Sequence, residues 1–263
     1  MLRNALLASV AVFAATSAFA ADLPSRKSAP AVPYVAAPVF TWTGFYVGAD
    51  VGGGWTNDKI KSYTTATGAP IGTATLNGSG VLGGLFAGYN WQTGSNIVLG
   101  LEGDLEATSI AAKKSFAYTY GTTAVVIGTA PAKESIPYQG SIRARLGYAA
   151  GNVLFYATGG LAFAQFNTKY IDVLSPSSFS SVKGGWTLGA GVEYAFNNNW
   201  TARAEYRYTQ FQNFTDNVNT GNTGNPGNFW SGTSVKHSVN ESAVRVGIAY
   251  KFGAPASAVV AKY

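Results

Sequence analysis

The sequence predicts an all-β chain, an eight-stranded antiparallel up-and-down β-barrel that crosses a membrane with its strands. Three observations predict it. Apolar and polar side chains alternate with period two in eight separate segments, the primary mark of strands with two unlike faces. Short and long connections alternate strictly between those segments, as they do when short turns lie on one side of a membrane and long loops on the other. Only 11% of the residues are charged, against about 25% in soluble domains. After residue 20 no apolar run approaches the roughly 20 residues that a helix needs to span a bilayer.

The N-terminus reads as an export signal. Arg3 forms a positive n-region, Ala5 to Ala15 an apolar h-region, and Ala18-Phe19-Ala20 an A-x-A cleavage site. Removing it takes the formal charge from +6 to +5, because Arg3 is the single charge lost. The expected layout is a signal peptide at 1–20, a Pro/Ala-rich periplasmic linker at 21–41, the barrel at 42–252 and a tail at 253–263. Pro24, Pro30, Pro33 and Pro38 disfavour both helix and ladder in the linker. The chain has no cysteine. Disulfides, thiol catalysis, thiolate zinc sites and a lipid anchor on an N-terminal cysteine are thereby excluded.

The strands follow in order. The first, about 43–55, alternates Phe45, Val47, Ala49, Val51 and Trp55 with Tyr46, Gly48, Asp50 and Gly52. The second, about 80–92, turns Val81, Leu85, Ala87, Tyr89 and Trp91 to the apolar face. The third, about 96–107, sets Ile97, Leu99, Leu101 and Leu105 against Glu102, Asp104 and Glu106. The fourth, about 136–149, sets Tyr138, Ile142, Ala144, Leu146 and Tyr148 against Arg143 and Arg145. The fifth, about 152–166, turns Phe155, Ala157, Leu161 and Phe163 outward and Tyr156 inward. The sixth, about 183–196, turns Trp186, Leu188, Val192, Tyr194 and Phe196 outward and Glu193 inward. The seventh, about 200–212, sets Trp200, Ala202, Ala204, Tyr206 and Tyr208 against Arg203, Glu205 and Arg207. The eighth, about 238–252, sets Val244, Val246, Ile248, Tyr250 and Phe252 against Arg245, Gly247 and Lys251. Helices fit badly, because glycine recurs in every segment but the seventh and costs about 1 kcal/mol in each helical position. Short turns are expected at 93–95, 150–151 and 197–199, and long polar loops at 56–79, 108–135, 167–182 and 213–237.

On the outward face the aromatic residues fall into two bands. Trp91, Tyr148, Phe155, Phe196, Trp200, Tyr250 and Phe252 lie toward the short turns, and Trp55, Tyr138, Phe163, Trp186 and Tyr208 toward the long loops. Aromatic girdles at the two membrane interfaces explain such bands.

The charges of the strand bodies fall on the opposite, inward phase: Asp50, Glu102, Asp104, Glu106, Glu193 and Glu205, with Arg143, Arg145, Arg203, Arg207, Arg245 and Lys251. A basic side chain at the lipid midplane would cost roughly 2–4 kcal/mol. Strands three and four are expected to interlock one cluster. Strands seven, eight and one, adjacent on closure, are expected to form a second from Arg203, Glu205, Arg207, Arg245 and Asp50. A polar conduit is one reading of these charges. An interior filled by paired side chains is preferred, since eight strands leave just enough width for side chains. Balanced arginines also argue against free acid–base groups, and no enzyme chemistry is expected.

Few other residues invite chemistry. His237 is the single histidine, and its expected place at the end of a loop makes it a solvated side chain. Ser238 and Glu241 are nearby, yet neighbours on a strand face opposite sides, which is poor geometry for a triad. Haem ligation by His237 with help from Tyr118 or Tyr120 is the weaker alternative. Lys59, Lys61, Lys113, Lys114, Lys133, Lys169, Lys183 and Lys236 read as solvated loop charges within reach of lipopolysaccharide phosphates. No zinc, calcium or P-loop spacing appears, and Gly189-x-Gly191 sits inside a strand. No cofactor and no nucleic-acid partner is expected.

The last strand, Arg245-Val246-Gly247-Ile248-Ala249-Tyr250-Lys251-Phe252, resembles the signal by which the barrel-assembly machinery recognises its clients. Arg245, Gly247, Tyr250 and Phe252 carry that match. Phe252 is preferred over Tyr263 as its last aromatic, because Pro255 interrupts the later run. Ala21-Asp22-Leu23-Pro24, Phe40-Thr41-Trp42-Thr43-Gly44-Phe45-Tyr46-Val47-Gly48, Tyr156-Ala157-Thr158-Gly159-Gly160-Leu161-Ala162 and Gly191-Val192-Glu193-Tyr194 resemble the major small outer-membrane proteins of alphaproteobacteria. The resemblance covers nearly the whole mature chain. It implies a barrel of the OmpA transmembrane type in the bacterial outer membrane, without a peptidoglycan domain, and with no catalytic residue. Outer-membrane lipid, lipopolysaccharide, periplasmic chaperones and the assembly machinery are the implied partners. A structural envelope role with exposed loops is the preferred function. A small porin, and haem or host-molecule binding through the loops, are the alternatives.

Overall fold

The computed structural model describes residues 40–119, 126–171, 177–218 and 233–253. The signal peptide expected at 1–20, nearly all of the linker and tail, and Tyr120 and Tyr263 lie outside the described residues.

Nine strands are described: β1 (Gly44–Thr64), β2 (Pro70–Gln92), β3 (Ile97–Thr119), β4 (Val126–Ala150), β5 (Val153–Tyr170), β6 (Ser177–Ala195), β7 (Trp200–Phe211), β8 (Phe214–Val218) and β9 (Thr233–Lys251). Each of β1 to β6 pairs antiparallel with the next, β7 pairs with β9, and β9 pairs back with β1, which closes the ring. β8 continues β7 along β9 after one extra residue, since Gln210 faces Asn240 and Phe214 faces His237. β7 and β8 are therefore one interrupted stave, and the barrel is eight-stranded. Over the half near the short turns every strand is paired on both sides, the condition for strands in lipid, whereas β8 pairs with β9 alone.

The short turns have local causes. Asn96 adopts a φ of 63° and Gly151 one of 61°, the left-handed conformation that Asn and Gly tolerate best. Asn197 Oδ1 accepts hydrogen bonds from the amides of Asn199 at 2.9 Å and Trp200 at 2.8 Å, an Asx turn. Pro137 sits where β4 shifts register against both neighbours. A proline cannot donate to the ladder, and the bulge absorbs it. The extra residue flips the phase, so that Ile136 and Gln139 both point inward.

The short-turn ends of the strands lie where the alternation predicts them. The other ends do not. Most of the expected loops at 56–79, 108–135, 167–182 and 213–237 is strand. Apart from β7 and β8 the strands run 18 to 25 residues, about twice the 9–11 that a tilted strand needs to cross a bilayer. The reason is a change of solvent along each strand. Leu85, Leu101, Leu161 and Val246 face outward in the half near the short turns. In the other half Asn57, Lys59, Asn77, Ser135, Lys133, Asn167, Ser238 and Lys236 take the outward phase, while Ile60, Leu76, Ile110, Val235 and Val239 are buried inside. Period two persists, but its hydrophobic phase inverts where the outer face leaves lipid for water.

Candidate functional site

The chemistry of the barrel lies inside it, in tiers. At the short-turn end Trp42 is 1% exposed and packs on Val98, Ala149, Leu154, Tyr156 and Ala195. Its Nε1 donates to the Gly151 carbonyl at 3.2 Å and its amide to Gln92 Oε1 at 2.8 Å. The segment entering β1 thus forms a floor across the barrel.

Above the floor is a charged tier. All twelve charges expected in the lumen are buried there or at its base. Arg143 on β4 reaches Glu102 at 2.6 Å, Asp104 at 3.2 Å and Glu205 at 2.8 Å. Arg203 on β7 reaches Glu102 at 2.6 Å and Asp50 at 3.1 Å. Arg207 meets Asp104 at 3.1 Å and Glu205 at 3.3 Å. Arg245 meets Glu106 at 2.6 Å, and Arg145 pairs with Glu193. Tyr46 joins the last pair to the rest by donating to Glu102 Oε2 at 2.8 Å.

The two clusters expected from strand adjacency are thus one network. Arginine side chains are long enough to cross an eight-stranded lumen, and Arg143 and Arg203 share Glu102 from different staves. Lys251 departs from the expected network. It is buried, but its ammonium donates to the Thr41 carbonyl and lies 4.6 Å from the centre of the Phe40 ring, so it holds the floor. Glu241, which was not among the expected lumen charges, sits on β9 and accepts from Gln139 Nε2 at 3.0 Å.

Inward glycines make room for the rings in this tier. A methyl group on Gly48 would overlap the Phe86 ring. The Arg203 guanidinium stacks 3.3 Å from the centre of that ring, and Arg145 lies 3.8 Å from that of Tyr156. Such contacts stabilise desolvated guanidinium groups.

An apolar tier follows, formed by Leu82, Ile110, Ile136, Phe166, Phe211, Phe214 and Val239, among others. Phe166 meets Phe211 edge-on at 5.1 Å. Beyond it is a second polar tier that sequence reasoning missed. His237 lies on β9, is 1% exposed and stacks on Phe214 at 4.7 Å with the rings 8° apart. This corrects the expectation of a solvated loop histidine. The inverted phase puts residue 237 inside and Lys236 and Ser238 on the other face. His237 Nδ1 lies 2.5 Å from Asp58 Oδ2 and 3.7 Å from Glu134 Oε2. Its Nε2 hydrogen-bonds Tyr170 Oη at 2.9 Å and lies 3.7 Å from Asp216 Oδ2. A last apolar tier of Ile60, Leu76, Ala112, Ala132 and Val235 covers this cluster.

This tier stands in the polar-walled half, outside the membrane-spanning segments. Burial, with Asp58 beside it, pushes the Glu134 carboxyl up to about 8. Burial also raises Asp216. For His237 burial favours the neutral ring, but the hydrogen bond to and charge of Asp58, with Glu134 and Asp216 nearby, outweigh it and raise its pKa.

Ser238 and Glu241 do not join His237. Ser238 faces away from the lumen, and Glu241 belongs to the charged tier. Tyr118 lies in β3, in a stretch whose side chains are outside the description. The eight lysines expected in loops stand on strands. Lys183 turns inward, 4.9 Å from the centre of the Phe214 ring. On the outer surface the aromatic residues of both expected bands face away from the lumen, with Trp55 and Trp186 toward the long hairpins and Trp91 and Phe196 toward the short turns. Phe45, Tyr89 and Tyr194 are further exposed outward rings. Arg245 and Gly247 of the expected assembly signal face the lumen. Tyr250 and Phe252 pack edge to face at 5.0 Å on the short-turn rim.

A closed antiparallel ring with an apolar outer band and a polar interior defines a transmembrane β-barrel of the outer-membrane class. The chain belongs to the outer membrane protein beta-barrel domain family, whose model matches residues 5–252. It is 36% identical over 264 residues to the 31 kDa outer-membrane immunogenic protein of Brucella melitensis biotype 1, covering 95% of this chain and 100% of that one. It is 34% identical over 257 residues to the 25 kDa outer-membrane immunogenic protein of Brucella canis, covering 95% and 99%. To the 22 kDa outer membrane protein of Rhizobium leguminosarum bv. viciae it is 32% identical over 215 residues, covering 82% and 80%. It is an integral outer-membrane β-barrel protein.

Proposed function

We propose that the protein is a non-conducting structural barrel that reinforces the outer membrane and carries a tall polar rim above it. The observation that carries this reading is the tiered lumen. A Trp42 floor, an arginine–carboxylate network and two apolar tiers follow one another across the same interior. Ions would have to cross both apolar tiers, where nothing replaces their hydration.

The outer surface supports contact with lipopolysaccharide. Lys113, Lys133 and Lys169 stand directly opposite one another on β3, β4 and β5, and Lys61 faces Lys236 across β1 and β9. Like charges so placed are destabilising unless an anion lies between them, and phosphate groups at that height supply one. The names of the Brucella relatives support recognition of the exposed rim by host immune systems. Aromatic-ended β9 supports hand-over from periplasmic chaperones to the assembly machinery. We propose no catalytic role. Haem capture by His237 would require a ring nitrogen presented at an open surface, whereas Nδ1 faces Asp58, Nε2 bonds Tyr170 and the side chain is 1% exposed.

Single-channel recording of the refolded, signal-free protein in a planar bilayer tests the reading. The expected result is a heat-modifiable barrel without steady openings. Reproducible openings altered by Glu102→Ala or Arg143→Ala would make it a porin.

A further inference from the structure

We propose that Asp58, Glu134 and His237 form a binding site for a divalent first-row transition ion inside the long-hairpin half of the barrel. The three residues come from β1, β4 and β9. One ligand atom from each lies within 4.8 Å of the other two. All three side chains are buried, Asp58 completely.

The cluster is built for more than an acid–imidazole hydrogen bond. Glu134 Oε2 is buried, has no hydrogen-bond partner among the described residues and points at His237 Nδ1 from 3.7 Å. An unpartnered carboxylate oxygen in such a place costs free energy, and a cation between the three groups would engage it. Asp58 is already oriented, since its Oδ1 accepts the Ser238 amide at 2.9 Å while Oδ2 faces the ring. The far side of the imidazole has the support that metal-binding histidines ordinarily show. With Nδ1 as ligand, Nε2 carries the hydrogen and donates to Tyr170 Oη at 2.9 Å, and Tyr170 donates to Asp216 Oδ2 at 3.4 Å. Phe214 stacked on the ring fixes its plane.

Charge points the same way. Three carboxylates surround one imidazole. Among the described residues no arginine or lysine makes an ion pair with Asp58, Glu134 or Asp216. A dication would balance what the side chains leave. One nitrogen and two carboxylates suit zinc, manganese or iron better than calcium, which takes six to eight oxygens. Binding displaces the shared proton and opens the Nδ1–Oδ2 distance from 2.5 Å to about 3.3 Å, the separation of two ligands about 2 Å from a tetrahedral ion.

The test is to refold the signal-free chain into detergent with zinc chloride present, because the apolar tiers close over the site. After passage over a chelating resin, metal is counted by mass spectrometry. About one zinc per barrel is expected to remain, with excess calcium failing to displace it. Glu134→Gln, which keeps shape and removes the group that can supply an anionic ligand, is expected to lower zinc affinity by at least about tenfold while the barrel still shows heat-modifiable mobility. Cobalt substitution is expected to give a visible ligand-field spectrum that the variant lacks. A wild-type barrel that retains no zinc, or a Glu134→Gln barrel that retains as much, would overturn the proposal and leave the cluster as a proton-sharing one.

Discussion

The two polar tiers of the lumen solve the same problem in different ways. In the lower one seven carboxylates, Asp50, Glu102, Asp104, Glu106, Glu193, Glu205 and Glu241, face five arginines, which leaves an excess of two acids. In the upper one Asp58, Glu134 and Asp216 face a single histidine and no arginine. Both are buried, and an isolated buried charge is costly in either place. Guanidinium groups neutralise acids with a permanent charge and a planar fork of donors. A histidine cannot, and the charge of Lys183 acts on Asp216 and not on Glu134, so the acids around His237 are left to hold protons or another cation. The lower tier therefore behaves as a lock, and the upper as a group of sites whose charge depends on conditions.

The largest effect that would separate them comes from the lock. Arg143→Met removes the centre of three ion pairs and leaves Glu102 with Arg203 alone and Asp104 and Glu205 sharing Arg207. It is expected to destabilise the barrel by about 3–5 kcal/mol, seen as a lower urea midpoint for unfolding from detergent. A neutral outcome would mean that water or protons already serve the lower tier.

In the upper tier the expected sign is opposite. Glu134 has its pKa raised to about 8 in the folded chain. Between the ordinary carboxylate range and pH 8 the folded state holds a proton that the unfolded state has released. Stability then falls as pH rises through that window. His237, also raised, adds stability below its unfolded pKa that is lost as pH passes its folded one, which is the same direction. With chelator present, Glu134→Gln is expected to match wild type near pH 4. It is expected to exceed it by about 3 kcal/mol at pH 8. Urea midpoints at several pH values would show the difference grow. A constant offset would contradict it.

Between the tiers, Leu82→Ala is expected to cost about 2–3 kcal/mol through the cavity it leaves, with little dependence on pH, since Leu82 is 2% exposed and meets apolar neighbours. Smallest of all, Lys133→Ala on the outer surface is expected to move unfolding by no more than about 0.5 kcal/mol. It would weaken association with lipopolysaccharide vesicles at low salt, measured by flotation. A stability loss as large as that of Arg143→Met would show that the row of Lys113, Lys133 and Lys169 is part of the fold.

The alternation of Leu99, Leu101 and Leu105 with Glu102, Asp104 and Glu106 is enough to assign faces, because lipid tolerates one set and not the other. The same holds for Arg203, Glu205 and Arg207 on β7. Barrel class, strand order and the inward direction of the main charges were therefore readable in the residues. The upper half was not, although Lys59-Ile60-Lys61 and Val235-Lys236-His237 keep the same period. Their phase has meaning only once the height of the bilayer is known, and water outside the barrel reverses which set must hide. Partner choice was equally out of reach. Arg203 meets Glu102 across the lumen from β7 to β3, a contact set by barrel radius and side-chain length. His237 came to lie against Asp58 and Glu134 for the same reason. Local pattern sets which way a side chain points, whereas ring closure in three dimensions sets what it meets.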